Sequence, residues 1–162
     1  MSAEIALIHL AVVALPALAA LYCDLSSMRI PNWVSLLTAG LFLAVGLATL
    51  PLDVLGWRVV VAVAVFVVGL MLYALGQMGA GDVKFATAIF LFVAWSDIGL
   101  FLRILGIMAL AGLLTHRIFA HWSFAREMAP NWASWNATGK FPYGAALSTA
   151  ILYYLLLIGV TG

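Results

Sequence analysis

Two aspartates, Asp24 and Asp82, each stand where a long apolar run meets a turn. A carboxylate beside lipid is costly, so an acid in that position is a functional residue by default. Two such groups held close together cannot both ionise comfortably; they share a proton and titrate as a pair. The ionised member can take a proton from water while its protonated partner donates one to a carbonyl oxygen, chemistry that hydrolyses a peptide bond without a metal. Asp82 follows Gly79 and Gly81. Glycine lets a second backbone approach closely, as an extended substrate strand would have to. The same glycines, with Gly76, equally suit a plain turn between two helices.

The other polar residues offer less. Lys84, two positions after Asp82, either favours the ionised form of the pair or anchors to lipid phosphate, and Arg29 has the same two readings. His9 lies more than a turn inside the first apolar run and reads as a packing residue. His116 and His121 have no carboxylate or cysteine at ligand spacing, so no metal site and no cofactor is expected. Ser26, Ser27 and Ser35 lack a partner base, which argues against a serine hydrolase. Cys23 is the one cysteine, which excludes an internal disulfide.

These residues need elements to hold them, and composition says which. The chain of 162 residues is 67% hydrophobic and 8% charged, with a mean hydropathy of +1.20. Soluble domains hold roughly 45–50% apolar and about 25% charged residues. The expected fold is therefore an all-α, polytopic membrane helix bundle, with residues 1–162 forming one membrane-embedded domain. A net charge of +1 without a basic cluster argues against nucleic acid as a partner and leaves membrane lipid as the surroundings.

Crossing an apolar core of ~30 Å takes about 20 residues. Six runs qualify, at roughly 5–22, 33–51, 58–76, 83–96, 98–116 and 143–160, the fourth being short. Ala17–Ala20 resembles a signal-peptidase site, but Tyr22 before Cys23 spoils a lipoprotein-type signal, and an uncleaved first helix is expected. With the N-terminus outside, Arg29, Lys84, Arg117, Arg126 and Lys140 fall inside and only Arg58 and Arg103 outside. That bias predicts an N-out, C-out bundle of six spans. Two spans lie between Asp24 and Asp82, so both return to the inner, cytoplasmic face. The acids are expected to meet there.

The longest connection runs from about 117 to 142. Ile118, Phe119, Trp122 and Ala125 have helical spacing and suit a short helix lying in the interface. Trp132 and Trp135 suit the same headgroup zone. Membrane anchoring and a substrate platform are both open for this loop. Asn136-Ala137-Thr138 matches a glycosylation sequon that an inner-face position would leave unused.

Asp24-Leu-Ser-Ser-Met-Arg-Ile-Pro31-Asn32 followed by Gly79-Ala-Gly81-Asp82-Val-Lys84 closely resembles the type IV prepilin peptidases, membrane aspartyl proteases of the Gly-x-Gly-Asp type. Phe141-Pro142-Tyr143-Gly144 is similar to the Pro-Tyr-Gly motif that opens that family's last helix. The resemblance covers nearly the whole chain, in order. It implies that Asp24 and Asp82 are the catalytic pair, that Gly79 and Gly81 shape the site, and that Pro31, Asn32, Lys84, Pro142, Tyr143 and Gly144 support it. It also implies a prepilin or pilin-like substrate, whose leader is cut at the cytoplasmic face of a bacterial inner membrane. Longer members carry a four-cysteine insertion between the first two spans and an N-methyltransferase activity. Here about ten residues join those spans and Cys23 stands alone, as in the short, peptidase-only forms that serve Flp/Tad-type pili. Two other readings stay open: a noncatalytic pilus-assembly subunit, and a transporter subunit that binds a cation through the same acids.

Overall fold

The computed structural model of the chain describes residues 1–136 and 142–162. The expected inner cation Lys140, the leading Phe141 of the last motif and most of the sequon lie outside them. The described residues form α1 (Ala3–Ser27), α2 (Asn32–Thr49), α3 (Leu52–Ala74), α4 (Ala80–Phe90), α5 (Ile98–His121), α6 (Ser123–Met128) and α7 (Tyr143–Thr161), with single 3-10 turns at Trp95–Asp97 and Ala133–Asn136. No strand occurs among them.

The helix stops are written in the local chemistry. Pro31 and Pro51 stand immediately before α2 and α3 as their N-cap residues, where a missing N–H costs nothing. Gly76, at φ 72°, makes the left-handed turn after α3. Outward-facing Leu15, Leu36, Val60, Ile107 and Val160 are exposed, far more apolar surface than a soluble protein shows. Five described helices are long and apolar enough to cross a membrane. The chain is a multi-pass helical membrane protein.

Small residues allow close helix packing where lipid on the outside is as apolar as the protein. On α1 the buried positions are Ala6, His9, Val13, Pro16, Ala17, Ala20 and Asp24. They recur every three or four residues, one face of a helix. That stripe packs along α7, which buries Gly144, Leu147, Ser148, Ile151, Tyr154 and Leu155. α7 also packs on α5, while α2 and α3 flank α4 from the other side.

The fourth apolar run departs from the six-span expectation. It is helical only over Ala80–Phe90, 11 residues, a rise of roughly 16 Å and about half the apolar core. Val83, Phe85, Ala86 and every residue from Ala88 to Ala94 are buried, so α4 is surrounded by protein. Broken backbone is tolerated at such a place because the protein itself can satisfy it. Arg58 Nη1 donates to the Leu91 carbonyl at 3.2 Å. The Ala94 N–H donates to the Tyr154 hydroxyl at 3.3 Å, and that hydroxyl donates to Asp97 Oδ2 at 2.8 Å. Arg58 was expected at a span end; it is buried, 3% exposed, because this break needs a donor. Arg103 is exposed, and its Nε donates to the Gly99 carbonyl at 3.1 Å.

The interfacial helix also differs in its bounds. α5 runs on through His121 and takes Ile118 and Phe119 with it. The chain bends at Trp122 (φ −94°, ψ 116°) and α6 covers only Ser123–Met128. His9 packs edge-on to Phe92 at 5.4 Å, as a core residue should, with neither ring nitrogen bonded among the described residues.

Candidate active site

Asp24 is carried inward by the period of α1: four residues after Ala20, it continues the packed stripe and is 3% exposed. One turn later the helix ends. Met28 caps it in the left-handed conformation (φ 54°), its N–H on the Asp24 carbonyl at 2.9 Å. That reversal swings Ile30 back into the bundle, 6% exposed, before Pro31 starts α2.

Asp82 is the third residue of α4, whose N-cap is Gly79. Its side chain reaches back to the Gly79 N–H, the returning half of a capping box. The N-terminal helix dipole favours an acid there. A Cβ on Gly79 would lie 2.7 Å from Asp82 Oδ2, so this return needs glycine.

α7 supplies the third side. The first N–H groups of a helix have no partner within it and favour an anion. Here they point at the acids. The Ala145 N–H donates to Asp24 Oδ2 at 3.1 Å, and the Gly144 N–H faces both Asp24 and Asp82. Two carboxyl groups 58 positions apart in the chain thus gather round one backbone amide.

The glycines let the three segments close. A Cβ on Gly81 would stand 2.9 Å from the Ile30 carbonyl oxygen, and one on Gly144 would stand 2.6 Å from Ile30 Cδ1 and 2.9 Å from Asp24 Oδ2. Ile30 is therefore the wedge shared by all three motifs. Sequence reasoning quoted it without giving it a role; its place between a helix cap and Pro31 was the available signal. Ala145 was missed as well, since its contribution is a backbone amide.

The remaining expected residues fall around this centre. Lys84 Nζ donates to Asn32 Oδ1 at 2.9 Å on the exposed side, tying α4 to α2. Of its two readings, neither shows directly: the ammonium's hydrogen bond goes to the Asn32 amide. Pro31 and Pro142 are the residues before α2 and α7, and Tyr143 opens α7 at the surface. Among the described residues no group of three His, Cys, Asp or Glu could hold a metal ion.

Asp82 stands ahead of the fourth apolar run and outside the five long helices. Burial pushes its carboxyl up to about 6, against the amides of Gly79 and Gly144, which favour the charged form. It is half-buried while Asp24 is enclosed. One acid is thus reachable by water and the other is held by a helix end.

The model of the type IV leader peptidase family matches residues 11–120, well over half of the chain. That stretch includes both aspartates and ends before the loop from Trp122 and before Pro142-Tyr143-Gly144. No curated protein matches the chain, and no solved structure does.

Proposed function

The chain belongs to the type IV leader peptidase family, and from that premise we propose that it is an aspartic endopeptidase whose dyad is Asp24 and Asp82. Its substrate is a prepilin or pilin-like protein, cut at the cytoplasmic face of a bacterial inner membrane, as in the short forms that serve Flp/Tad-type pili. The whole of residues 1–162 acts as one peptidase domain.

The observation that carries this reading is the Gly144 amide facing both carboxyl groups. In the proposed reaction Asp82, the half-exposed acid, takes a proton from water, and the resulting hydroxyl oxygen bonds to the scissile carbonyl carbon. Asp24, held by the Ala145 amide, gives its proton to the carbonyl oxygen. Collapse of the tetrahedral intermediate breaks the C–N bond, the amine leaves with the proton taken from water, and Asp24 recovers its own. Gly79, Gly81 and Gly144 keep the segments close enough for this. Pro31, Asn32, Lys84, Pro142 and Tyr143 support the site from its rim. No cofactor is required.

The test is leader cleavage by the purified, membrane-reconstituted chain. Asp24→Asn and Asp82→Asn should each abolish it, and the double variant should be no worse, as for residues that act as a unit. Full cleavage by either single variant, correctly inserted, would rule out the dyad.

A further inference from the structure

α2 and α3 each pack on α4 but scarcely on each other. They approach near their connection, where a Cβ on Gly46 would stand 3.3 Å from Leu55 Cδ1. Nearer the start of α2 a slot of about 340 Å³ remains between them, lined also by α4. Its lining is graded along the two parallel helices. Asn32 and Lys84 stand at one end, joined by their 2.9 Å hydrogen bond. Thr87 comes about one turn further along α4, and Ala39 and Leu91, about two turns along α2 and α4, are apolar, as is Phe66 of α3. Lys84 is the one charged side chain among the described residues of the lining.

This slot lies away from the dyad. At about 100° per residue, Lys84, Thr87 and Leu91 stand roughly 140–200° round α4 from Asp82. Leu36 and Phe66, which line the slot, are also exposed on the outside of the bundle, where a multi-pass helical protein meets lipid. A polar end with a single positive charge, continuous with an apolar depth, matches a molecule with an anionic head and a hydrocarbon tail. The Lys84 ammonium has three donors, and its one hydrogen bond among the described residues goes to Asn32. Two N–H groups are left for phosphate oxygens, which accept strong charge-assisted bonds. A zwitterionic headgroup would bring a second ammonium toward Lys84; an anionic one brings none. Arg29, exposed and three residues before Asn32, adds positive charge at the same end of α2.

We propose that the slot between α2, α3 and α4 is a binding site for one anionic phospholipid, its phosphate on Lys84 Nζ and one acyl chain laid between Ala39, Phe66 and Leu91. The bound lipid bridges α2 to the helix that carries Asp82, from the face opposite the dyad.

The experiment places a benzophenone amino acid at position 36 in the full chain, reconstituted into phosphatidylcholine vesicles doped with phosphatidylglycerol. After irradiation, the share of phosphatidylglycerol among the lipid adducts should exceed its share of the bilayer about fivefold, the worth of one basic residue beside an anionic headgroup. The same amino acid at position 15, on an exposed part of α1, should return the bilayer composition. Lys84→Met should abolish the enrichment at position 36 and Lys84→Arg should keep it. Ala39→Trp, which fills the apolar end, should abolish it too. Excess glycerol 3-phosphate or a prepilin should leave it unchanged. Equal shares at positions 36 and 15, enrichment that survives Lys84→Met or Ala39→Trp, or displacement by glycerol 3-phosphate or by prepilin, would overturn the lipid site. No cleavage is read, so this inference and the peptidase reading fail separately.

Discussion

Gly144 leaves Asp24 no room for a neighbouring methyl group: a Cβ at that position would stand 2.9 Å from Oδ2 and 3.0 Å from Cγ of the carboxyl. On its other side it would meet Ile30 Cδ1 at 2.6 Å. Gly144, Asp24 and Ile30 are all buried, so the clash cannot relax into solvent. Gly144→Ala is expected to insert and fold, because overpacking of this kind costs about 1–3 kcal/mol. Cleavage should nevertheless fall on the order of 10²-fold, since a displacement near 1 Å is enough for that loss. Wild-type cleavage by Gly144→Ala, measured beside its melting curve in detergent, would mean that the Asp24 position is not critical.

Much of this arrangement was legible before any coordinates. The even number of spans between Asp24 and Asp82 predicted that both acids return to one face, and the structure brings their carboxyl groups round one amide. What could not be read was contributed by backbone. The amides of Gly144 and Ala145 carry no sequence signature of their own. The break after Phe90 was hidden for a different reason: Leu91, Phe92, Val93 and Ala94 look like more helix, and only tertiary partners make their unwinding tolerable. Those partners, Arg58 and Tyr154, lie 33 and 60 positions away from the groups they satisfy. Composition likewise could not show where α5 would stop, because Ile118 and Phe119 suit either a span or an interfacial helix.

The pH dependence should carry the mark of Asp82. Burial raises its carboxyl to about 6, from roughly 3.9 in a solvated peptide. As the proposed base it must be ionised, so activity should be present above that value and lost as pH falls through it. The acid limb of kcat/KM, which reports the free enzyme, is expected with a midpoint near pH 6. A limb near pH 4 would place Asp82 in a solvated setting and sink its assignment as the base.

Lys84 and Asn32 should behave as one unit. Their 2.9 Å hydrogen bond is exposed, so stability should change by less than about 1 kcal/mol when it is removed. Its consequence lies in holding α4, which carries Asp82, against α2. Lys84→Met and Asn32→Ala are each expected to lower kcat/KM several-fold, with the double variant no lower than the worse single one. A double-mutant cycle on kcat/KM reads this directly, with coupling on the order of 0.5–3 kcal/mol. Additive losses would show that the two residues act separately.

Tyr154 and Arg58 should control stability rather than chemistry. Both act where α4 breaks, about eight residues and therefore roughly 12 Å beyond Asp82 along the helix. Tyr154→Phe removes the hydroxyl that accepts from the Ala94 N–H and donates to Asp97. Arg58→Met removes the donor to the Leu91 carbonyl while keeping most of the apolar stem. Each leaves a buried backbone group unpaired, which costs about 1–3 kcal/mol. Both variants should therefore melt earlier in detergent than the unaltered chain, yet cleave at a near-normal rate per folded molecule at low temperature. The comparison with Gly144→Ala is what makes this decisive. There activity falls far more than stability, and here the order reverses. If Tyr154→Phe melts with the unaltered chain, the broken segment is satisfied by other means, and its support by Tyr154 is wrong.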